Sequence, residues 1–369
     1  MKVLHLISSI DKGGAETQVM HLASMQAKKK NEVLVCFAKG SGYWKNKKKL
    51  NFFDLRKNKN KSNFFFNICN LIKLIKSYKP DIINVHLPYM EICLFFSLFF
   101  VKKNFKIICT KHLDNNLFDK LNYDFFLGNF FTKIVSLNYI KIIAISKAVK
   151  KFYLMKKIIS NPNIIEVVYY GLDLKSKPKP LRENKIKEKY NIQKTTFLIG
   201  TVSRLVPQKS LHHLIHSFKI FNKEYNQNSK LIIVGKGYLK NDLYNYSKKL
   251  KVDKDIIWID FIEDTVEFIS QLNVFALSSK YEGLGLVLLE ALFARTPIVA
   301  SSVGAIPEII KNNFNGKLVS YGNTKNFAKS MNDIKKGGYK KNCYKTLSLK
   351  FNDKVMFKKT MNIYMETLN

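Results

Sequence analysis

Short apolar runs of strand length recur along the whole chain and alternate with longer segments of helical periodicity. In the first half these runs cover residues 3–7, 33–37, 81–85, 106–110, 141–145 and 164–169. In the second half they cover residues 197–202, 231–234, 256–259, 274–277, 297–300 and 317–320. Strands interleaved with helices predict parallel sheets covered on both faces, so we expect an α/β protein.

The pattern is interrupted once, at residues 173–181, where lysines and two prolines replace the apolar periodicity. A chain of 369 residues is too long for one typical core and is long enough for two domains. We therefore predict a first domain at residues 1–175 and a second at residues 182–350. Residues 353–367 predict a final helix.

Glycine, histidine and cationic residues follow the predicted strands. Gly13 and Gly14 come after the first strand, and His112 comes after residues 106–110. Arg204 and Lys209 follow the first strand of the second half, and Arg204 is one of only four arginines in the chain. Ligands of open α/β sheets bind outside the carboxyl ends of the strands, so these positions predict binding sites.

The segment 281–290 is the most informative, because it lies between two predicted strands and opens a helix. Gly283 and Gly285 let the backbone approach a ligand closely. The N–H groups of Leu284 and Leu286 are placed at a helix N-terminus, which favours a phosphate.

Two carboxylates flank this turn. Glu282 lies in the turn and Glu290 lies about two turns into the helix, so they can reach different parts of one ligand. Carboxylates only accept hydrogen bonds, which makes them poor phosphate ligands and good partners for sugar hydroxyls. The alternative interpretation is a surface glutamate and a helix-face glutamate beside an ordinary strand-to-helix turn.

The segment 281–290, followed by residues 296–301 and 303–308, resembles the donor-site signature of family 4 retaining glycosyltransferases. Further matching motifs lie at residues 12–16, 110–112, 145–147, 170–173, 203–205, 208–209 and 234–237. The resemblance implies the GT-B fold, in which two Rossmann-like doubly wound parallel-sheet domains face each other across a cleft. It also implies that the final helix, within residues 353–369, packs back on the first domain.

The resemblance also assigns roles to the residues of the site. Arg204 and Lys209 would bind the donor diphosphate, and Glu282 would hold a sugar hydroxyl. The backbone at residues 283–286 would bind phosphate. Glu290 would hold the ribose, and His112 would lie beside the transferred sugar. The flexibility of glycine suggests that the Gly13–Gly14 loop closes over the phosphate or admits the acceptor, with an ordinary turn as the alternative.

This family implies a retaining transferase that moves a hexose or N-acetylhexosamine from a sugar nucleotide, with a UDP-sugar favoured. The expected acceptor is a hydroxyl of a glycan or lipid-linked intermediate in cell-surface polysaccharide synthesis. We expect no cofactor besides the sugar nucleotide, and no metal. Two alternatives stay open: an epimerase or phosphorylase on the same fold, and a non-catalytic basic protein that binds membrane surfaces.

The formal net charge of +36 is large. No aromatic platform or nucleic-acid motif accompanies it, so nucleic acid is not an expected partner. An anionic membrane surface is a second partner left open, and a compositional bias toward lysine explains the charge equally well. The apolar run 92–101 is shorter than the about 20 residues of a membrane span. It predicts a buried helix, with the alternative that its surface lies on lipid.

The five scattered cysteines and the short apolar N-terminus indicate a cytoplasmic protein, either free or peripheral at the inner face of the membrane. The chain departs from the family pattern at three positions. Arg295, Ala305 and Asp260 occupy or adjoin places where the family usually has glycine. Arg295 would lose a favourable left-handed helix cap, and Asp260 leaves the donor nucleobase open.

Overall fold

A computed structural model describes residues 1–47, 49–56, 63–113, 125–174, 185–225, 228–335, 346–347 and 350–369. The chain divides into two compact units. Unit 1 comprises Met1–Gly171 and Asp353–Asn369, and unit 2 comprises Leu172–Asn352. Most of the predicted interruption at residues 173–181, and Cys343, lie outside the described residues.

Unit 1 is built on a seven-stranded parallel sheet with the order β3-β2-β1-β4-β5-β6-β7. Its strands are β1 Lys2–Ser9, β2 Glu32–Lys39, β3 Asn51–Asp54, β4 Ile82–His86, β5 Lys106–Lys111, β6 Lys141–Ala144 and β7 Ile165–Val167. Its helices are α1 Gly14–Lys28, α2 Phe64–Tyr78, α3 Pro88–Ser97, α4 Phe125–Ser136 and α5 Lys147–Met155. The C-terminal helix of the chain, Asp353–Leu368, also belongs to this unit.

The C-terminal helix packs on the same face of the sheet as α1, where its buried Tyr364 shares a core with Val3 and Leu22. Asn84 Nδ2 on β4 donates a hydrogen bond of 2.6 Å to the Tyr364 hydroxyl. The connections through α2, α3, α4 and α5 all run in the opposite direction along the sheet. Because parallel crossovers are right-handed, these helices cover the other face.

Unit 2 is built on a six-stranded parallel sheet with the order β10-β9-β8-β11-β12-β13. Its strands are β8 Phe197–Val202, β9 Ser229–Val234, β10 Ile256–Ile259, β11 Val274–Leu277, β12 Ile298–Ser301 and β13 Gly316–Val319. Its helices are α6 Lys185–Lys189, α7 Leu211–Glu224, α8 Lys240–Lys249, α9 Thr265–Ser270, α10 Leu286–Phe293, α11 Ile306–Ile309 and α12 Thr324–Lys335. The C-terminal helix, Asp353–Leu368, is α13 in chain order.

All twelve predicted strands are present, within a few residues of the predicted bounds. The sequence analysis missed β3, a four-residue strand at the edge of the sheet in which no residue is fully buried. The prediction of a buried helix at residues 92–101 is wrong in its second part. Helix α3 ends at Ser97, and Phe99 and Phe100 in the following 3₁₀ turn are 70% and 64% exposed. Among the described residues, no helix is both long and apolar enough to span a bilayer.

Candidate functional site

The centre of the site in unit 2 is an ion pair between two side chains that the sequence analysis selected separately. Lys209 Nζ donates a hydrogen bond to Glu282 Oε1, and Ser279 Oγ donates a second, of 2.7 Å, to the same oxygen. The Glu282 side chain is 6% exposed and the Lys209 side chain 14% exposed. A charge this buried needs a charged partner and further hydrogen bonds, and Glu282 has both.

The backbone of the Glu282 turn is fixed by its contact with the loop after β12. The N–H of Ala305 donates a hydrogen bond of 3.1 Å to the Glu282 carbonyl. Gly304 has a φ of +52°, and a Cβ there would lie 2.1 Å from the same carbonyl oxygen. Only glycine fits this approach, so Gly304 holds the turn in place.

Arg204 is exposed in the loop after β8 and is joined to the Glu282 turn through Gln208. One guanidinium nitrogen of Arg204 donates to Gln208 Oε1 at 3.4 Å, and Gln208 Nε2 donates to the Tyr281 carbonyl at 3.1 Å. The N–H of Lys280 donates to the Gln208 carbonyl at 2.8 Å. Gln208 therefore connects the loop that carries both cations to the turn that carries the carboxylate.

The loop that carries Arg204 packs closely against the loop after β9. A Cβ on Gly235, whose φ is +143°, would lie 1.8 Å from the carbonyl oxygen of Ser203. Ser203 Oγ is buried without a hydrogen-bond partner in the described structure. Buried polar atoms are rarely left unpaired, which makes this hydroxyl next to Arg204 an exception.

Helix α10 begins at Leu286, with Gly285 as its N-cap and without a capping side chain. Gly283 and Leu284 are buried in the turn before it, and Glu290 is half-buried in the second turn of the helix. The first N–H groups of a helix have no partner within it. The carboxylate pair and the phosphate-binding backbone that the sequence predicted therefore lie on one short segment.

In unit 1 three histidines form a continuous hydrogen-bonded row across neighbouring strands. His5 on β1 lies 3.1 Å from His86 at the end of β4 (Nδ1 to Nε2), and His86 Nδ1 lies 2.9 Å from His112 Nε2. His112 follows β5, and its Nδ1 is hydrogen-bonded to the Tyr170 hydroxyl. At the other end, His5 Nε2 lies 2.7 Å from Gln26 Oε1 on α1. We call these five residues the histidine row.

The anchor at Gln26 fixes the tautomer of every ring. Gln26 Nε2 donates to the sulfur of Met361, so its carbonyl oxygen faces His5 and can only accept. His5 must then carry its proton on Nε2, and each following imidazole must do the same. The Tyr170 hydroxyl completes the row by donating to His112 Nδ1.

Burial keeps these imidazoles neutral. Desolvation lowers the pKa of His5 to about 4, against a smaller opposite effect of its bond to Gln26. Desolvation, and then the nearby charge of Lys111, lowers the pKa of His112 to about 3. Desolvation followed by the two neighbouring rings lowers the pKa of His86 well below its usual value.

Lys111 and Glu91 form a second polar group in unit 1, on the face of the sheet opposite the histidine row. Their side chains are 3% and 2% exposed and hydrogen-bonded to each other, and the Tyr139 hydroxyl donates to Glu91 at 3.0 Å.

Leu87 lies between His86 and Pro88 with a φ of +68°. Such a conformation strains a non-glycine residue, and strained residues cluster at functional sites.

The residues predicted for the site are divided between the two units. Arg204, Lys209, Glu282 and the start of α10 form one constellation in unit 2. Gly13, the N-cap of α1, and Gly14 lie in unit 1 with His112, and the Glu16 carboxylate lies against Gly13.

The ring of His112 uses both nitrogens within unit 1, so a contact with a sugar would have to replace one of these bonds. The roles predicted for His112, Gly13 and Gly14 stay predictions. The sequence analysis missed His5 and Gln26, and it gave no role to Tyr170, although residues 170–173 match a family motif. The only signal was that His86 and His112 both follow strand ends.

Comparisons with known proteins match both halves of the chain. The family of glycosyl transferases group 1 matches residues 182–347, and Glycosyltransferase Family 4 matches residues 12–176. The chain is 27% identical to the capsular polysaccharide biosynthesis glycosyltransferase CapM of Staphylococcus aureus over 278 residues, which are 73% of this chain and 72% of CapM.

A second relative is the UDP-Gal:alpha-D-GlcNAc-diphosphoundecaprenol alpha-1,3-galactosyltransferase of Escherichia coli. It is 28% identical over 180 residues, which are 48% of this chain and 46% of that enzyme.

The fold is similar to a crystal structure of HepE from Anabaena in complex with UDP and glucose. The TM-score is 0.85 at 17% sequence identity, over 99% of this chain and 100% of HepE. Two all-parallel α/β units and this structural similarity confirm the GT-B fold class that the sequence predicted. With both halves of the chain matched by family, the protein belongs to the group 1, family 4 type of GT-B glycosyltransferases.

Proposed function

We propose that this protein is a retaining glycosyltransferase that moves a hexose or N-acetylhexosamine from a UDP-sugar to a hydroxyl of a lipid-linked or other glycan acceptor. The observation that carries the proposal is the buried Lys209–Glu282 pair, which Gln208 joins to the exposed Arg204. Two neighbouring loops thus offer cations for a diphosphate and a carboxylate for a sugar. The names of CapM and of the galactosyltransferase support a role in polysaccharide synthesis.

The donor would bind with its diphosphate at Arg204, Lys209 and the first N–H groups of α10. A lysine has three donors, so Lys209 can hold Glu282 and a phosphate oxygen at the same time. Glu282 would accept a hydrogen bond from a sugar hydroxyl, and Glu290 would accept from the ribose. The complex of HepE with UDP and glucose supports a UDP-sugar as the donor class.

Catalysis would rest on electrostatics and positioning. As the glycosidic bond to the diphosphate breaks, negative charge grows on the leaving phosphate, and Arg204 and Lys209 stabilise it. The acceptor hydroxyl would attack the same face of the sugar and pass its proton to the departing phosphate, which retains the anomeric configuration. No protein nucleophile is required.

We expect turnover without a divalent metal, because Arg204, Lys209 and the α10 N-terminus supply positive charge at the diphosphate. Initial rates before and after chelation test this expectation. Loss of turnover that magnesium or manganese restores would contradict it.

The decisive experiment compares donor affinity with transfer rate. Calorimetry with UDP, and initial rates with a panel of UDP-sugars, should be measured for Glu282→Ala, Glu290→Ala and Arg204→Ala. Glu290→Ala should weaken UDP binding by about 1.5–3 kcal/mol. Glu282→Ala should leave UDP affinity intact and depress transfer.

Arg204→Ala should reduce turnover more than it weakens donor binding, because the leaving-group charge is largest in the transition state. If both glutamate variants keep wild-type affinity and rate, the assignment of the donor site is wrong.

A further inference from the structure

Five phenylalanines of unit 1 hold their rings in solvent on the helical layer formed by α2, α3 and α4. They are Phe65, Phe96, Phe99, Phe100 and Phe130, which are 76%, 38%, 70%, 64% and 57% exposed. We call these five residues the aromatic patch. Single exposed apolar residues are ordinary on protein surfaces, whereas a group of large ones marks an interaction site.

The patch is continuous, because partly buried rings join its members across three helices. The connecting ring pairs are Phe64–Phe65, Phe64–Phe96, Phe95–Phe99 and Phe95–Phe131, with centroids 5.8, 5.9, 5.4 and 5.8 Å apart. Phe130 neighbours Phe131 in α4, and Phe100 neighbours Phe99. The apolar run that begins inside α3 thus ends on the surface of the unit.

Among the residues that the structure describes, the helices that carry the patch present lysines at their surface. Exposed lysines lie on α2, on α4 and in the segment after the 3₁₀ turn: Lys73, Lys76, Lys102, Lys103 and Lys133. Helices α2, α3, α4 and α5 contain a single carboxylate in their sequence, Glu91, which is buried and paired with Lys111. Residues 125–165 contain seven lysines and no aspartate or glutamate.

We propose that the aromatic patch and its lysines dock unit 1 on a bilayer that carries anionic headgroups. The rings enter the boundary between headgroups and acyl chains, and the ammonium groups pair with the lipid phosphates. A second copy of this chain would bring an equally basic surface to the contact and would be repelled, whereas an anionic bilayer offers both apolar depth and negative charge. The inference deepens the proposed function, since it rests on an acceptor held in a membrane.

Vesicle co-sedimentation of the full chain tests the docking surface without any enzymatic readout. The probes are vesicles of phosphatidylcholine alone, and of phosphatidylcholine mixed equally with phosphatidylglycerol. We expect binding to the anionic vesicles, weakened by salt because screening shortens the reach of the lysines. The Phe99→Ser/Phe100→Ser variant should bind at least about tenfold more weakly.

The affinity of the Lys102→Ser/Lys103→Ser variant for anionic vesicles should be lower by about fivefold for each lysine removed. The matched control is Tyr244→Ser/Lys248→Ser/Lys249→Ser on the exposed side of α8 in unit 2, which removes one aromatic ring and two lysines. It should bind like the wild type. All variants alter exposed side chains, so their thermal unfolding should match the wild type.

The proposal is overturned if the wild type does not bind anionic vesicles or if both patch variants bind them as tightly as the wild type does. It is also overturned if the Phe99→Ser/Phe100→Ser variant instead converts a dimer to a monomer in size-exclusion chromatography. The proposed function is judged separately, by transfer to a short water-soluble acceptor. The patch variants should keep that rate, whereas a protein that docks but transfers from no sugar nucleotide would leave the docking surface intact and refute the transferase proposal.

Discussion

In unit 2 the carboxyl ends of β8 and β11 lead to a charged pair, Lys209 with Glu282, whereas in unit 1 the ends of β4 and β5 lead to neutral imidazoles, which His5 inside β1 extends. Both groups are buried, and both reach the edge where α/β sheets bind ligands. They differ in how burial is compensated. The ion pair needs its partner to stay charged, and the histidine row needs every ring to stay uncharged.

This difference predicts different weaknesses for the two units. A charged pair that meets a ligand is expected to matter for chemistry, and a neutral network with all its hydrogen bonds made is expected to matter for folding. The chain has one tryptophan in each unit, Trp44 and Trp258. Single-tryptophan variants can therefore follow the unfolding of each unit separately.

The largest expected effect is the loss of the central ring of the histidine row. His86→Leu leaves His5 Nδ1 and the N–H of His112 buried without partners, and each unpaired group costs about 1–3 kcal/mol. We expect unit 1 to lose about 3–5 kcal/mol of unfolding free energy in urea, measured through Trp44 in a Trp258→Phe background.

His212→Leu on the exposed surface of unit 2 serves as the matched control for a lost histidine. It should leave the Trp44 transition unchanged. If His86→Leu costs unit 1 less than about 1 kcal/mol, the row is not a structural network.

The second largest expected difference between the units is the sensitivity of their unfolding free energies to acid. The folded pKa values of His5 and His112 are lowered to about 4 and about 3, so the unfolded chain binds protons first as pH falls below about 6.5. The unfolding free energy of unit 1 should then fall by about 1.4 kcal/mol per pH unit for each buried histidine, until the folded pKa values are reached. Urea unfolding at several pH values between neutrality and pH 5 measures the slope. A Trp44 transition that is no more sensitive to pH than the Trp258 transition would contradict the neutral row.

Removing one charge from unit 2 should affect activity first. Lys209→Gln should lower the rate of sugar transfer about 100-fold, since one electrostatic donor at a reacting group is worth roughly 10²–10³. The histidine row should be untouched, so the Trp44 transition should not move. Lys230→Gln, which removes a partly exposed lysine paired with Asp255 in the same unit, is the control and should keep its rate. Normal turnover of the Lys209→Gln enzyme would show that the Lys209–Glu282 pair has a structural role and not a catalytic one.

The smallest expected effect concerns Arg295, where the family usually has glycine. Arg295 follows α10 with a φ of +58°, and its N–H and that of Thr296 donate to the carbonyls of Leu292 and Ala291. The left-handed cap is thus formed despite the side chain. Arg295→Gly should stabilise unit 2 by about 0.5–1 kcal/mol, measured through Trp258 in a Trp44→Phe background.

Lys251→Gly tests the same reasoning, because Lys251 follows α8 with the same φ of +58°. Both variants should gain stability. A loss at Arg295 alone would show that contacts of its side chain outweigh the strain.

The sequence predicted unit 2 better than unit 1, for a physical reason. The residues around Glu282 are local: one turn sets the spacing of the carboxylates, the glycines and the helix start. Lys209 was recognised by a motif, although its pairing with Glu282 depends on the adjacency of β8 and β11. Parallel strands that are neighbours in space but distant in sequence leave no trace in local periodicity.

The histidine row shows this limit clearly. His5, His86 and His112 meet because β1, β4 and β5 are adjacent in the sheet. This strand order cannot be deduced from the local sequence pattern. The exposed end of the apolar run after α3 is a second example. Its composition is that of a core segment, and only the packing of the helices shows that Phe99 and Phe100 are exposed to solvent.

The row also has a polarity. Because the carbonyl oxygen of Gln26 can only accept, all three rings donate in the same direction, and their dipoles add head to tail in the manner of a helix. No ring can change its tautomer alone, since two protons or two lone pairs would then face each other. The three imidazoles must therefore switch together, and an amide on α1 sets the protonation of a nitrogen at the far end of the row, three rings away.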